Sequence, residues 1–209
     1  MPSHPETMSS TLDFANQLID TGLLHFGQFV EANNVVPVRF CLEYLPAYPD
    51  FLAHLAGLTL LHVNPAEVDH LLVAVDSLPL GVACSLSSHL SLAYSRGRGE
   101  APAHDLVGSY NSGHQAALLV NVLDDNDHLE AFIRKARGVG LETRVIVTLL
   151  NLNSANQIAG IPVKSVFQLE DIVQELVSVQ RLPQRHAQIV LEWLEKRHQV
   201  SRHQGSESP

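Results

Sequence analysis

The stretch Gly113–Leu150, GHQAALLVNVLDDNDHLEAFIRKARGVGLETRVIVTLL, decides the fold class of this chain. Its first apolar run, Ala116 to Val122, and its last, Val145 to Leu150, have the length and composition of buried strands. Between them, a segment from about Asp127 to Arg137 has the spacing of an amphipathic helix. The stretch therefore predicts one β-α-β unit, and with it a sheet whose neighbouring strands are parallel.

The loop after the first strand is the first candidate for a functional site, because ligands of open parallel sheets bind at the carboxyl ends of the strands. It consists of Asp124, Asp125, Asn126 and Asp127 and contains no glycine. Aspartate is favoured at helix N-termini, so we interpret these residues as a cap of the following helix. A loop that binds phosphate instead presents free backbone N–H groups and avoids carboxylates. The alternative is a divalent-cation site formed by Asp124, Asp125 and Asp127 with His128, although the spacing matches no complete metal-binding loop.

The composition is that of a globular protein with one well-buried domain. Hydrophobic residues make up 45% and charged residues 17% of the 209 residues, which excludes an intrinsically disordered chain. The formal net charge of −9 argues against nucleic acid or an anionic membrane as a partner, since both are bound mainly through Lys and Arg. The N-terminus lacks signal-peptide features and no apolar run could cross a bilayer, so we expect a cytoplasmic protein. Cys41 and Cys84 show no CxxC spacing and are expected to be reduced thiols in the core.

The rest of the chain alternates between helical and extended patterns, which predicts an α/β fold with a mostly parallel sheet. Helices are predicted at about 12–21, 50–61, 79–88, 169–179 and 183–198. Strands are predicted at about 25–29, 35–42, 69–75, 90–94 and 163–167, the first two forming a hairpin around Asn33–Asn34. The expected organisation is a flexible N-terminus at 1–10, a single domain at 11–198 and a disordered tail at 199–209.

Residues 95–105, SRGRGEAPAHD, are interpreted as a mobile surface loop because Gly and Pro interrupt them repeatedly. Two arginines of this loop, Arg96 and Arg98, are candidate contacts for an anionic ligand. Solvated charges are the alternative interpretation, since charged side chains in loops usually face water.

Five segments, in the order of the family and at nearly its spacing, resemble the orotate phosphoribosyltransferases, the type I phosphoribosyltransferases of pyrimidine synthesis. They are GLLHFGQF at 22–29, LPAYPDFL at 45–52, LPLGVACSLSSHLSLAYSR at 78–96, HLEAFIRKARGVGLETRVIVTLL at 128–150 and GIPVKSVFQLEDIV at 160–173. The resemblance extends over about 12–198. It implies a type I phosphoribosyltransferase-like α/β fold with a mostly parallel five-stranded core sheet flanked by helices, and a small N-terminal hood, mainly at 22–45. It also implies a homodimer in which the loop of one subunit reaches the site of the other.

The phosphate-binding positions implied by the resemblance are occupied by residues of a different character. The family's signature strand ends in paired acids and a Thr-Thr-Gly-Gly type loop that holds the ribose 5-phosphate, whereas this chain has LLVNVL followed by Asp124–Asp127. The Gly-Gly pair of the family's pyrophosphate loop corresponds to Asp76 and Ser77. The ligand-binding cleft predicted from these positions consists of Asp76, Ser77, Asn121, Asp124, Asp125, Asn126 and Asp127.

The base-binding and catalytic positions also depart from the family. The hood lysine and the aromatic residues that stack on orotate correspond to Glu31, Val38 and Arg39. The Arg-Lys pair of the mobile loop corresponds to Arg96 and a glycine, and the arginine that pairs with the orotate carboxylate corresponds approximately to Asn151. Phosphoribosyl transfer depends on donors, cations and Mg²⁺ that each supply roughly 3 kcal/mol of transition-state stabilisation, so losing most of them leaves little rate.

The leading hypothesis is therefore a catalytically inactive relative of the orotate phosphoribosyltransferases, acting as a binding, regulatory or structural subunit without a cofactor. Its expected partner is a second copy of the chain or an active relative. The alternative is an active phosphoribosyltransferase with an altered site, which transfers phosphoribose from phosphoribosyl pyrophosphate to orotate or a related base. In that case Arg96, Arg98 or Arg39 would contact the anions, and Asp124 and Asp125 would hold Mg²⁺.

A third hypothesis is a small-molecule sensor that kept the cleft and changed its ligand. A cleft lined by Asp76, Ser77, Asp124 and Asp127 suits a cationic or polyhydroxyl ligand better than an anion. No sequence feature separates such a sensor from a vestigial cleft.

Overall fold

The fold is described from a computed structural model, which covers residues 11–31, 34–97, 105–124, 126–152 and 155–204. The helices are α1 (Thr11–Asp20), α2 (Pro49–Leu60), α3 (Leu78–Ser88), α4 (Asn126–Gly138), α5 (Leu169–Ser178) and α6 (Gln184–Gln204). The strands are β1 (Leu24–Glu31), β2 (Asn34–Phe40), β3 (His70–Val73), β4 (Ser91–Ser95), β5 (Leu106–Val107), β6 (Gln115–Leu123), β7 (Glu142–Asn151), β8 (Gln157–Ile158) and β9 (Ile161–Gln168). Two compact units result, one formed by the chain up to Leu42 and from Gln168 onward, the other by Glu43–Phe167.

The unit Glu43–Phe167 contains a seven-stranded sheet in the order β5-β4-β3-β6-β7-β9-β8. The pairs β3–β4, β3–β6 and β6–β7 are parallel, and the edge strands β5 and β8 are antiparallel to their neighbours. The predicted β-α-β unit corresponds to β6, α4 and β7, so the predicted α/β class with a mostly parallel sheet is confirmed. The sequence analysis missed β5 and β8, because strands of two residues show no periodicity.

Helices cover both faces of this sheet. Leu118 and Ile146 on one face pack against Leu129 and Ile133 of α4, and all four side chains are buried. On the other face, α3 approaches β3 closely at Gly81, where an added Cβ would lie 2.7 Å from Val73 Cγ1. The continuous apolar runs of β3 and β6 follow from this arrangement, because strands covered on both faces have no polar side to present.

The other unit contains α1, the hairpin β1–β2, α5 and α6. The hairpin is antiparallel and pairs Leu24 with Phe40 at its base, as predicted, whereas the turn at 32–33 lies outside the described residues. The Arg181 guanidinium donates hydrogen bonds to the Asp20 carboxylate at 2.5 Å and to Asn16 Oδ1 at 2.9 Å. The hydrogen bond from Arg181 holds the pKa of the Asp20 carboxyl below its ordinary value.

The structure corrects the predicted C-terminal boundary. Helix α6 extends to Gln204, whereas the sequence analysis placed the start of a disordered tail at 199. The segment Glu195–Gln204 contains neither Gly nor Pro and is rich in Glu, Lys, Arg and Gln, which favour helix; Gly205 is the first helix-terminating residue. The predictions for 1–10 and for 98–104 concern residues outside the described ranges, and the assignment of 11–198 to one domain stays a prediction.

Both cysteines are free thiols. Cys84 is fully buried in α3, and burial raises the pKa of its thiol to about 12, so it is a packing residue without thiolate chemistry. Cys41 is half-buried, so the prediction of a core thiol is confirmed for Cys84 alone. In the described part of the chain, no helix is long and apolar enough to cross a membrane.

Gly140 and Gly160 both have a left-handed backbone conformation, and replacing Gly140 with alanine is expected to destabilise the protein more. Gly140 (φ +82°) and Gly160 (φ +76°) share the same backbone strain, which costs an L-residue roughly 1–2 kcal/mol. A Cβ on Gly140 would lie 2.8 Å from Ser112 Cα, whereas a Cβ on Gly160 meets nothing within 4 Å. We expect Gly140→Ala to lower the free energy of unfolding by at least about 1 kcal/mol more than Gly160→Ala, as overpacking does. Urea unfolding of the two variants measures the difference, and equal losses would contradict the close contact with Ser112.

Candidate functional site

Three residues of the predicted cleft meet at the carboxyl ends of β3 and β6, the edge at which an open parallel sheet has its crevice. After β3 the chain makes a short 3₁₀ turn, Val75–Ser77, before α3 begins. Ser77 is fully buried, and its Oγ accepts a hydrogen bond from the backbone N–H of Asn121 at 3.0 Å. The Asn121 side chain donates from Nδ2 to the carbonyl oxygen of Asp76 at 2.9 Å. The structure thus brings Asp76, Ser77 and Asn121 into one hydrogen-bonded group.

Strand register explains how this group forms. Val73, the last residue of β3, pairs with Leu119 of β6. Because side chains alternate along a strand, Asn121 lies on the same face as Leu119, one step beyond the end of β3. The chain that leaves β3 therefore crosses over Asn121, and Pro79 in the first turn of α3 sets the helical direction immediately afterwards.

Asn121 is a buried amide with one group unsatisfied. The residue is 5% exposed, and its Oδ1 is buried without a hydrogen-bond partner. The carbonyl of Asp76 can only accept, so it fixes the Asn121 NH₂ group towards the 3₁₀ turn and leaves Oδ1 as the orphaned atom.

The acidic loop lies at the neighbouring strand end, as predicted. Asp124 directly follows β6 and is exposed, and α4 begins at Asn126. Asp125 lies outside the described residues, and for Asn126 and Asp127 the backbone alone is described. Among the side chains that are described, no group of three or more His, Cys, Asp or Glu could hold a metal ion. The magnesium site at Asp124 and Asp125 therefore stays a prediction.

The predicted hood residues lie on the hairpin of the other unit. Val38 is buried, so its side chain is part of the packing of the hairpin and is not presented to solvent. Arg39 is exposed, and its guanidinium carbon lies 4.6 Å from the centre of the Phe29 ring, within the range of a cation–π contact. Glu31 ends β1 opposite Asn34, and its side chain is outside the description. A role of these residues in binding a base stays a prediction.

A second buried polar group, which the sequence analysis missed, holds the start of the loop that contains Arg96. We call Ser95, Asp105 and Lys135 the Asp105 cluster. The Asp105 carboxylate is fully buried; it accepts hydrogen bonds from the Ser95 hydroxyl and from Lys135 Nζ, the latter at 2.6 Å. The backbone N–H of Arg96 donates to the Asp105 carbonyl at 2.9 Å. Both ends of the loop are therefore fixed to the sheet and to α4.

The loop start also lies beside the crevice. A Cβ on Gly97 would be 3.0 Å from Val75 Cγ1, so the chain after β4 contacts the same 3₁₀ turn that bonds to Asn121. The Arg96 side chain is exposed, and Arg98 lies outside the described residues. Of the two predicted anion contacts, Arg96 is thus placed next to the crevice.

Asn151 occupies the end of β7, where the resemblance implies an arginine. It is buried, pairs in register with Leu123 and donates from Nδ2 to Ser165 Oγ at 2.9 Å. The amide therefore takes part in an internal hydrogen bond between neighbouring strands. It offers no positive charge to a ligand carboxylate.

Comparison with known proteins first defines the class. No protein-family model matches the chain, and no curated protein sequence matches it. Solved structures do match, and several of them are phosphoribosyltransferases, so the mostly parallel sheet with its flanking helices has the phosphoribosyltransferase fold.

The matching structures include a UMP synthase and several orotate phosphoribosyltransferases. UMP synthase of Leishmania donovani superposes with a TM-score of 0.76 and 19% identity, over 90% of this chain and 43% of that chain. Orotate phosphoribosyltransferase of Francisella tularensis superposes with a TM-score of 0.64 and 17% identity, over 88% of this chain and 98% of that chain. Orotate phosphoribosyltransferase of Aeropyrum pernix superposes with a TM-score of 0.63 and 16% identity, over 79% of this chain and 98% of that chain. The chain thus spans less than half of the UMP synthase. These identities establish the fold alone, and the resemblance to orotate phosphoribosyltransferases is confirmed at that level.

Proposed function

We propose that this protein is a non-catalytic relative of the orotate phosphoribosyltransferases that acts as a binding or regulatory subunit. The observation that supports the proposal is the hydrogen bonding of the turn after β3. The resemblance assigns a pyrophosphate-binding role to this turn, which requires backbone N–H groups free to point at an anion. Here the backbone N–H groups of Ser77 and Leu78 donate to the carbonyls of Ala74 and Val75. The Asp76 carbonyl and the Ser77 hydroxyl accept hydrogen bonds from Asn121.

Charge supports the same proposal. Asp76 and Asp124 are both exposed at the carboxyl edge of the sheet, where a sugar phosphate would need positive or neutral surroundings. Two unit charges about 4 Å apart repel by roughly 1–4 kcal/mol near a protein surface. Since each lost donor also removes several kcal/mol of transition-state stabilisation, transfer chemistry is left with little support.

We expect no orotidine monophosphate to form when the full chain is incubated with orotate, phosphoribosyl pyrophosphate and Mg²⁺. Product formation is followed by chromatography, with the Francisella tularensis orotate phosphoribosyltransferase as the positive control. Calorimetry with phosphoribosyl pyrophosphate and Mg²⁺ should likewise give no binding heat above that of dilution. Mg²⁺-dependent formation of product would overturn the proposal.

The second candidate is an active phosphoribosyltransferase with an altered site, and the position of Arg96 favours it. The backbone of Arg96 is bonded to Asp105, and the neighbouring Gly97 lies close to Val75 of the turn that contains Asp76, so an exposed arginine begins its side chain near that turn. Under this candidate, an Arg96→Ala variant would lose binding of phosphoribosyl pyrophosphate that the unmodified chain shows. The calorimetric experiment above therefore separates the two candidates directly.

The partner is proposed to be a second copy of this chain or an active relative. Exposed apolar side chains on α3 support a protein partner: Val82 is 42% and Leu86 is 74% exposed, and the two lie one helical turn apart. Light scattering on the full chain tests for a dimer. A cytoplasmic location stays a prediction.

A further inference from the structure

We propose that the stacked histidines His70 and His114 form a pH-sensitive clasp, which holds the loop of residues 109–114 at neutral pH and releases it in acid. This 109–114 loop joins β5 to β6 at the amino-terminal edge of the sheet, and the candidate site lies at the opposite edge. The proposal is therefore independent of the proposed function, and its failure would leave the non-catalytic assignment unchanged.

The two imidazole rings are stacked. Their centroids are 4.7 Å apart, and the ring planes differ by 29°. His70 is the first residue of β3 and is 4% exposed, whereas His114 is half-buried and directly precedes β6. Because imidazole titrates near neutral pH, such a ring pair changes its charge in the physiological range. Two positive charges at this separation repel each other, so the pair accepts a second proton less readily than the first.

Both rings hold the 109–114 loop through hydrogen bonds that fix their tautomers. His70 Nε2 lies 2.6 Å from the carbonyl oxygen of Ser109, which can only accept, so this nitrogen carries a proton. His114 Nδ1 accepts from the backbone N–H of Asn111 at 3.2 Å, so this nitrogen carries none. One ring thus binds the start of the loop and the other its middle.

Protonation acts differently on the two rings. At His114 it converts Nδ1 from an acceptor into a donor, which then faces the N–H of Asn111, and the hydrogen bond is lost. At His70 it places a charge on a side chain that is almost completely buried. The hydrogen bond from the Gly113 N–H to the Gly140 carbonyl, at 2.7 Å, contains no titratable group and is expected to persist. Acid therefore loosens the loop around Asn111 and leaves its end attached.

The charges around the pair are engaged in other contacts or exposed to water. The exposed Asp69 carboxylate favours a proton on either ring, but it accepts from the Gln115 N–H at 2.9 Å and is screened by solvent. Glu142, whose N–H donates to the His114 carbonyl, forms an ion pair with Arg137 at 3.4 Å. The other titratable residues on the described segments next to the pair are His62, Glu67, His89, Tyr110 and Arg144.

Hydrogen exchange of the full ¹⁵N-labelled chain, followed by NMR, tests the clasp. Protection factors, corrected for the pH dependence of intrinsic exchange, are measured between about pH 7.5 and 5.5, the range in which imidazole titrates. We expect the protection of the Asn111 amide to fall at least about tenfold over this range, because its acceptor is lost. The amide of Leu118, in the middle of β6, should keep its protection.

Two variants separate the titration from the contacts themselves. His114→Asn keeps an acceptor oxygen near the position of Nδ1 but cannot take up a proton, so the protection of Asn111 should stay constant with pH. His70→Phe keeps a stacked ring without a charge, so it should reduce the loss of protection in acid. His186, an exposed histidine in the first turn of α6, provides the control, and His186→Asn should leave the pH dependence unchanged.

Three results would each overturn the proposal. The first is constant protection of Asn111 in the unmodified chain. The second is an equal loss at Leu118, which would indicate unfolding of the whole sheet. The third is a loss that persists unchanged in His114→Asn and in His70→Phe. If one of these variants does not fold, the unmodified chain and the other variant still decide the question.

Discussion

Replacing Lys135 with methionine is expected to lower the free energy of unfolding by about 3 kcal/mol, the usual cost of removing one partner of a buried ion pair. The Asp105 carboxylate is fully buried, and Lys135 Nζ lies 2.6 Å from its Oδ2. Methionine keeps the aliphatic part of the lysine side chain but removes its charge. The carboxylate then stays in the interior without the ammonium group of Lys135, which helps to offset its desolvation.

The preceding residue of the same helix provides the matched control. Arg134 forms an ion pair with Glu130 at 3.5 Å, but the two side chains are 66% and 38% exposed. Exposed pairs at this spacing contribute about 0.3–0.5 kcal/mol, so Arg134→Met should be nearly neutral. Urea unfolding followed by circular dichroism measures both variants.

A double variant distinguishes loss of charge balance from loss of packing. Adding Asp105→Asn to Lys135→Met removes the buried charge and should recover part of the stability, since a neutral amide is less costly to bury than a carboxylate. Equal stability of the Lys135→Met and Arg134→Met variants would show that the Asp105 cluster does not hold a charged pair in solution.

The fold was predictable where the sequence carries a local pattern. The apolar runs of β6 and β7 and the amphipathic spacing of α4 each lie within about a dozen residues, so the β-α-β unit could be recognised without long-range information. The Asp105 cluster could not, because Asp105 and Lys135 are 30 residues apart and each alone resembles a solvated surface charge. The edge strands β5 and β8 are not predictable either, because strands of two residues show no periodicity.

The sequence predicts which strand ends lie next to each other, but not the hydrogen bonds between them. The resemblance assigns Asp76, Ser77 and Asn121 to one cleft, and the structure brings the three residues together. Their role in binding a ligand stays a prediction. That Asn121 is a buried amide bonded to Asp76, 45 residues earlier, depends on the register of β3 with β6. The hood shows the converse. The resemblance matches Val38 to a base-binding position of the family, and the structure buries this side chain. Alternation along β2 does not show which face of a hairpin is covered, so the burial of Val38 was not predictable from the sequence.

The largest functional change is expected from replacing the acidic loop with the Thr-Thr-Gly-Gly type loop of the family. In a variant carrying Asp124→Thr, Asp125→Thr, Asn126→Gly and Asp127→Gly, we expect calorimetry to detect binding of ribose 5-phosphate, which the unmodified chain should not bind. The loop runs into the first turn of α4, whose first N–H groups and dipole favour an anion once the carboxylates are gone. At about 6 Å, each carboxylate repels each phosphate charge by roughly 0.7–3 kcal/mol, so removing three of them changes affinity by orders of magnitude.

A charge-only variant separates the two contributions of this graft. Changing the three aspartates to asparagine removes the repulsion but supplies no glycine, so the backbone cannot approach the phosphate as closely. We expect this variant to bind ribose 5-phosphate more weakly than the grafted loop and more strongly than the unmodified chain. Should the grafted chain fold normally and still bind no sugar phosphate, the carboxylates after β6 are not what keeps phosphate out. The bonded turn at Asp76 and Ser77 would then be the remaining cause, and it acts at the other strand end.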